Sequence, residues 1–193
     1  FSPHTDVVAG WLLDGTVSVW RTRDGAAVAS LGPLGRGKLD PDFGTPSMAF
    51  SRDGRQFALG CLDGTVLLLS GLERGVGLRE APCVADLQGP EGRYLNAIWP
   101  GWVKWVAFSP DGRMLVTTQA QGALAWALPS GEMLAPLPLG FPGPGCLTFS
   151  PDGRLLASSS WSKVSLWGVR SGRKKRWLLP PVRKRVKNWR EGY

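Results

Sequence analysis

The chain has 193 residues, of which 43% are hydrophobic and 20% are charged, a balance typical of a globular protein that buries a core. It contains no run of about 18 apolar residues, so we expect no membrane-spanning helix, and its N-terminus lacks the basic-then-apolar layout of a secretory signal. The net charge is +8, and residues 173–193 carry this excess: they hold nine of the 23 basic residues and one of the 15 acidic ones, which leaves 14 of each before them.

A short motif recurs four times along the chain, as FSP in its first copy, FSRDGR in its second and FSPDGR in the last two. The copies begin at Phe1, Phe50, Phe108 and Phe149. Each copy is followed by an apolar stretch, a turn and a second apolar stretch, which ends 19, 19, 18 and 18 residues after the Phe. The end positions are Trp20, Leu69, Trp126 and Trp167. Such fixed spacing is the sequence signature of a repeat architecture.

Each copy of the repeat predicts four strands separated by three turns. The composition of the whole chain, with ten Trp, 26 Gly and 16 Pro, also favours short strands and tight turns over long helices. Asp-Gly pairs signal such turns, because Gly accepts positive φ and Asp hydrogen-bonds to its own turn. Within the motif these pairs are Asp53-Gly54, Asp111-Gly112 and Asp152-Gly153. Two further pairs lead into apolar or β-branched strands, at Asp14-Gly15 and Asp63-Gly64. Between the second and third copies, residues 70–101 predict a long excursion with one strand near Val84 to Leu87.

Together, the motif, the following Asp-Gly-Thr turn and the closing Trp resemble the WD40 repeat family, in which a unit of about 40–45 residues forms one four-stranded propeller blade. The resemblance implies an all-β fold: a β-propeller or partial propeller of about four four-stranded antiparallel blades. It divides the chain into repeats at about 1–31, 47–87, 103–137 and 146–179, with a basic C-terminal tail at 180–193.

The sequence departs from the family pattern at positions that would build a buried hydrogen-bond network. It has no Gly-His pair, and Leu69 replaces Trp in the second copy, so we expect the blades to be held mainly by apolar packing. The innermost strand of the first blade would end at Phe1, which is not preceded by an initiator Met. We therefore expect that strand to be largely missing, the sequence to be one part of a longer protein, and its open sides to invite self-association.

The sequence offers little for catalysis or metal binding. Its single histidine, His4, lies beside the N-terminus, where we interpret it as an exposed loop residue. No other histidine is present to serve a serine-type triad or to complete a multi-histidine metal site. Cys61, Cys83 and Cys146 lack short paired spacings, and we interpret them as small buried apolar side chains in a reducing compartment. The scattered aspartates are interpreted as turn formers. We therefore predict no catalytic residue, no metal and no cofactor.

The tail at 180–193 combines basic residues with one apolar stripe. After two prolines, the residues Val182, Val186, Trp189 and Tyr193 fall at helical spacing, which predicts a basic amphipathic helix. Its candidate partner contacts are Arg183, Lys184, Arg185, Lys187, Trp189 and Arg190. Such a segment suits an acidic protein surface, an anionic membrane or nucleic acid, while a solvated end that serves only solubility is an equally good interpretation.

Taken together, these features favour a non-catalytic scaffold that binds other proteins, as one region of a larger protein or complex in the cytoplasm or, in a eukaryotic cell, in the nucleus. The alternative from another class is a nucleic-acid-associated subunit that draws its affinity from the basic tail. A propeller enzyme is the minor alternative, which clustered carboxylates around a central metal would support.

Overall fold

The computed structural model describes residues 1–34, 47–70, 83–88, 103–119, 122–137, 146–160, 163–169 and 173–178. Over these ranges the chain forms fifteen β-strands and no helix. The strands make four antiparallel sheets, each built from consecutive strands. The predicted all-β partial propeller is therefore confirmed.

Sheet 1 contains β1 (Val7–Trp11), β2 (Val17–Arg21) and β3 (Ala27–Leu31). Sheet 2 contains β4 (Ser47–Phe50), β5 (Gln56–Gly60), β6 (Thr65–Ser70) and β7 (Cys83–Gln88). Sheet 3 contains β8 (Trp105–Phe108), β9 (Met114–Gln119), β10 (Gly122–Ala127) and β11 (Met133–Leu137). Sheet 4 contains β12 (Cys146–Phe149), β13 (Leu155–Ser160), β14 (Lys163–Gly168) and β15 (Lys174–Leu178).

Two features of this strand order match the sequence-based expectations. Within the described residues, sheet 1 has three strands where the others have four. The strand expected near Val84 to Leu87 is β7, the outer strand of sheet 2.

All four sheets share one irregularity of register. A β-bulge interrupts the pairing with the outer strand directly before the closing residue of the repeat, as between Val19 and Trp20 or between Ala125 and Trp126. A bulge adds one residue to one strand and increases the local twist. The recurrence of the bulge shows that the four repeats share a backbone plan as well as a sequence motif.

The sheets stack side by side, and three apolar clusters fill the three spaces between them. Two hydrogen bonds across these spaces involve the inner strands: Val106 N donates to Ser47 Oγ at 2.9 Å, and Trp105 Nε1 donates to Leu147 O at 2.7 Å. Because both bonds satisfy groups that face a neighbouring sheet, they fix the positions of β4, β8 and β12 relative to one another. This arrangement brings the turns that follow these strands to one end of the stack.

Candidate interaction surface

The segments that join the first two strands of sheets 2, 3 and 4 share one turn geometry. In sheet 3, Ser109 Oγ donates to Asp111 Oδ1 at 2.6 Å and accepts a hydrogen bond from Met114 N at 2.9 Å. Asp111 Oδ1 also accepts from Arg113 N at 3.1 Å. The turn places Gly112 at a φ of 69°, a left-handed conformation that favours glycine. One serine and one aspartate thereby satisfy the polar groups of the whole turn.

The same hydrogen bonds form in the other two turns, with Ser51 Oγ donating to Asp53 at 2.6 Å and Ser150 Oγ donating to Asp152 at 2.5 Å. We call the three carboxylates the turn aspartates. In each of them, the serine hydroxyl is the main reason that the pKa lies below its usual value. The Asp-Gly pairs alone predict these turns without the serine. The signal for the serine was present, because Ser follows Phe in all four copies of the motif.

The first copy keeps the turn without the aspartate, since His4 stands at that position. Its backbone still closes through a hydrogen bond from Ser2 N to Val7 O at 3.0 Å. Thr5 Oγ1 donates to Ser2 Oγ at 2.5 Å. Local side-chain bonds of this kind substitute for the missing carboxylate.

Turns of neighbouring sheets lie against one another. A Cβ atom placed on Gly54 would come within 2.8 Å of Ser2 Oγ, and one on Gly153 would lie 3.5 Å from Pro110 Cδ. Residues of the second and third turns line one cleft, so all four turns belong to one continuous surface, which we call the turn face. It consists of residues 2–6, 51–55, 109–113 and 150–154.

Two adjoining clefts cross the turn face. One, of about 370 Å³, lies between the turns of sheets 2 and 3, and His4, from the turn before β1, also lines it. The other, of about 810 Å³, lies between the turns of sheets 3 and 4. Arg52, Pro110 and Asp111 line both clefts. The two clefts therefore form a path that runs across at least three sheets.

Basic side chains border this path at four positions, Arg52, Arg55, Arg113 and Arg154, all of them exposed. Arg52 is the departure from the repeat, because the other three copies carry Pro at its position. Within the described ranges, none of the four guanidinium groups has a hydrogen bond or a salt bridge. An exposed guanidinium presents five donors in a planar fork suited to carboxylates and other anions.

At the opposite ends of β1 and β5 lie the two further turns predicted from Asp-Gly pairs. Asp14 Oδ1 accepts from Thr16 N at 2.9 Å, and Asp63 Oδ1 accepts from both Thr65 N and Thr65 Oγ1, at 3.0 and 2.7 Å. Gly15 and its counterpart in the second turn have φ values of 82° and 88°. These aspartates thus act in turn formation, as interpreted from the sequence.

The closing residues of the repeats are buried in a way that the sequence analysis only partly anticipated. Trp126 Nε1 donates to Thr117 Oγ1 at 3.0 Å, and Trp167 Nε1 donates to Ser158 Oγ at 2.9 Å. In sheets 3 and 4, apolar packing is therefore supplemented by an indole hydrogen bond.

In the first two sheets, the residue nine positions after the motif Phe lacks a hydroxyl. In sheet 1, Gly10 lies against the Trp20 indole. In sheet 2, Leu59 and Leu69 belong to the same apolar cluster. A hydroxyl nine positions after the motif Phe therefore accompanies the closing Trp in the third and fourth repeats only, since the first repeat pairs Trp20 with Gly10.

The remaining sequence-based predictions have mixed outcomes. Phe1 is 89% exposed, whereas Phe50, Phe108 and Phe149 are half-buried. Cys61 is buried as expected, but the same interpretation is wrong for Cys146, which is exposed because it shares a face of sheet 4 with Thr148 and Ala157, and no described sheet covers that face. The candidate tail contacts at 183–190 lie outside the described residues.

In the described part of the chain, no group of three or more His, Cys, Asp or Glu side chains is placed to hold a metal ion. No helix among the described residues has the length and apolarity needed to cross a membrane.

Comparison with known families assigns one segment of the chain. The family model for the WD domain, G-beta repeat (WD40), matches residues 142–168. No curated protein matches the chain. The matched segment includes the third Ser–Asp turn and the Trp167–Ser158 hydrogen bond, features that sheet 3 repeats at equivalent positions. The chain therefore contains a WD40 repeat, which forms the first three strands of sheet 4.

Proposed function

We propose that this chain is a non-catalytic scaffold for protein–protein interaction and that the turn face is its contact surface. WD40 repeats in general suggest such a scaffold, and that inference supports the proposal without naming a partner. The observation that carries it is the set of exposed arginines along the two clefts, whose guanidinium groups form no hydrogen bond or salt bridge with the described residues. Arginine is enriched in protein interfaces, where its planar fork binds carboxylates in pairs of hydrogen bonds.

The chemistry of the turn face specifies what a partner should offer. The turn aspartates direct one oxygen each to a serine hydroxyl and a backbone amide, so these carboxylates already have donors. Arg55, Arg113 and Arg154 also help to lower the pKa of these carboxylates through their charge, but their guanidinium groups donate no hydrogen bond within the described residues. Those N–H donors are the groups that a partner can use. An extended segment with acidic side chains at intervals would pair with them while its backbone lies in the clefts.

Site-specific photo-crosslinking in cells that express the full protein tests this proposal. A photoreactive residue is placed at Pro151, an exposed position that lines the larger cleft, and at Leu13, an exposed position at the opposite end of sheet 1. We expect protein adducts at Pro151 above the background at Leu13. Arg113→Glu should reduce them, whereas the matched reversal Lys104→Glu, at the other end of β8, should not. Adducts that are equal at both positions, or insensitive to Arg113→Glu, would refute the turn face as the contact surface.

A second proposed function rests on the concentration of charge in the C-terminal region, where residues 173–193 hold nine of the 23 basic residues. We propose as the alternative that a separate tail at 180–193, beyond a repeat region at 1–179, binds nucleic acid through Arg183, Lys184, Arg185, Lys187, Trp189 and Arg190. Binding through phosphates weakens steeply with salt, because counterions are released. Binding of RNA or DNA that shows this salt dependence and disappears when 180–193 are removed would support the alternative. Binding unchanged by that truncation would contradict it.

A further inference from the structure

The two clefts of the turn face differ in the chemistry of their walls. Apart from Pro110, every side chain described at the smaller cleft is polar or charged. The larger cleft also has an apolar wall, which is formed by Pro110, Met114, Pro151 and Val169. A ligand that occupies both clefts therefore meets charged groups at one end and apolar groups at the other.

The apolar wall of the larger cleft is anchored in the core of the molecule. Met114 and Val169 are half-buried, and both pack against the apolar cluster between sheets 3 and 4. Val169 N donates a hydrogen bond to Arg154 O at 3.0 Å, which joins the end of β14 to the turn between β12 and β13. Pro110 and Pro151 add rings that restrict the backbone. Because these residues are held in place before a partner arrives, little ordering free energy is lost when an apolar side chain enters the cleft.

The charges along the clefts balance except at one position. In sheets 2, 3 and 4, an arginine follows the turn aspartate two residues later, as Arg55, Arg113 and Arg154. Each of these arginines helps, through its charge, to lower the pKa of the aspartate in its own turn. Their charges thus offset those of the turn aspartates one for one. Arg52 is the additional cation, because the other three copies carry Pro at its position.

Arg52 also lies where the two clefts meet, since it lines both of them. It is exposed, and its guanidinium group forms no hydrogen bond or salt bridge with the described residues. One unbalanced guanidinium suits one carboxylate, which it binds through two parallel hydrogen bonds. The junction of the clefts is therefore the place where an acidic side chain of a partner binds best.

The larger cleft suits an aromatic side chain better than an aliphatic one. Its volume of about 810 Å³ falls within the range of about 300–1,000 Å³ for pockets that hold organic ligands. Arg52, Arg113 and Arg154 line it together with Met114 and the proline rings. Guanidinium groups stack on aromatic faces, and methionine sulfur makes favourable contacts with aromatic rings. An aromatic ring thus gains from both the basic and the apolar walls, whereas an aliphatic side chain gains only from the apolar one.

We propose that the turn face binds an extended protein segment in which an acidic residue stands close in sequence to an aromatic one. The acidic side chain binds Arg52 at the junction of the clefts, and the aromatic side chain enters the larger cleft beside Met114 and Pro151. This inference rests on the proposed scaffold function and specifies the kind of segment that the turn face selects. It also makes Arg52 the residue that determines specificity.

Selection from a library of random peptides displayed on phage tests this preference, with the full 193-residue chain as the immobilised target. We expect the enriched sequences to carry Asp or Glu within a few residues of Trp, Tyr or Phe. Arg52→Pro is the matched variant, and it should fold because it restores the residue that the other copies carry in the same turn. Sequences enriched on Arg52→Pro should keep the aromatic residue and lose the preference for Asp or Glu.

Affinities of one enriched peptide, measured by fluorescence anisotropy, separate the two contacts. Replacing its acidic residue with the corresponding amide should weaken binding to the unaltered chain by about tenfold or more, but should not change binding to Arg52→Pro. Replacing its aromatic residue with alanine should weaken binding to both chains. Arg23→Gln is the charge-matched control, because Arg23 is exposed and lines neither cleft, and it should leave the affinity unchanged.

Three results would overturn the inference: no enriched peptides, enrichment without an acidic preference, or an amide effect that persists in Arg52→Pro. The photo-crosslinking experiment detects a failure of the proposed function separately. Protein adducts at Pro151 without an acidic and aromatic preference among the selected peptides would refute the inference and keep the turn face as a contact surface. Equal adducts at Pro151 and Leu13 would refute the scaffold function, whatever the selected peptides show.

Discussion

The buried hydroxyl of Thr117 allows the contribution of the indole hydrogen bond to stability to be measured. Thr117 is 0% exposed, and its Oγ1 accepts the hydrogen bond from Trp126 Nε1 at 3.0 Å. Thr117→Val keeps the shape of the side chain but leaves the buried N–H without an acceptor, which costs about 1–3 kcal/mol. We therefore expect the free energy of unfolding to fall by about that amount.

The adjacent residue supplies a matched control. Thr118 is also 0% exposed, but its Oγ1 has no hydrogen-bond partner among the described residues. Thr118→Val replaces an unsatisfied hydroxyl with a methyl group of similar size, so the free energy of unfolding should stay unchanged or rise. The two substitutions are chemically identical, and only the partner of the hydroxyl differs.

Urea denaturation followed by far-ultraviolet circular dichroism gives the free energy of unfolding of each variant. A double-mutant cycle of Thr117→Val with Trp126→Phe isolates the pair, and we expect a coupling energy of about 1 kcal/mol. Equal losses in the two valine variants, or a coupling energy near zero, would refute the assignment of stability to this hydrogen bond.

Three further predictions concern turns, packing and pH. Gly112→Ala adds only backbone strain, of about 1–2 kcal/mol, because no atom lies within 4 Å of the added Cβ. Gly54→Ala adds the same strain and also places its Cβ 2.8 Å from Ser2 Oγ. Thermal unfolding should therefore show the larger loss for Gly54→Ala, and equal losses would contradict the contact between turns. Gly60→Ala places a Cβ 2.5 Å from Val103 Cγ1, and the clash should lower the free energy of unfolding by about 1–3 kcal/mol. Adding Val103→Ala should recover part of this loss, whereas strictly additive losses would argue against the clash. The turn aspartates have lower pKa values in the folded protein than the ordinary value of 3.8, so their ionised form stabilises the fold. This contribution is fully present above pH 3.8 and is lost as the pH falls through the pKa values of the folded state. The urea midpoint should therefore drop in that acid range. A midpoint that stays constant there would count against this linkage.

The amino-acid sequence by itself determined the features of this protein that depend on local geometry. The Asp-Gly pairs predicted the turns, because Gly adopts the positive φ that such a turn needs and the short Asp side chain hydrogen-bonds to the backbone of the turn. The spacing from Phe50 to Leu69, and its three counterparts, predicted the sheets that the structure contains.

What the tertiary structure decided is which side chains meet across the sheets. Thr117 and Thr118 are adjacent and identical in type, yet only Thr117 faces the Trp126 indole, and the pleat of the strand rather than the sequence makes that difference. The clefts bordered by the arginines exist because the turns of separate repeats come together at one end of the stack. Burial is likewise decided by the neighbouring sheet, since Trp126 and Trp167 are buried between described sheets whereas Trp20, at the same repeat position, is half-buried.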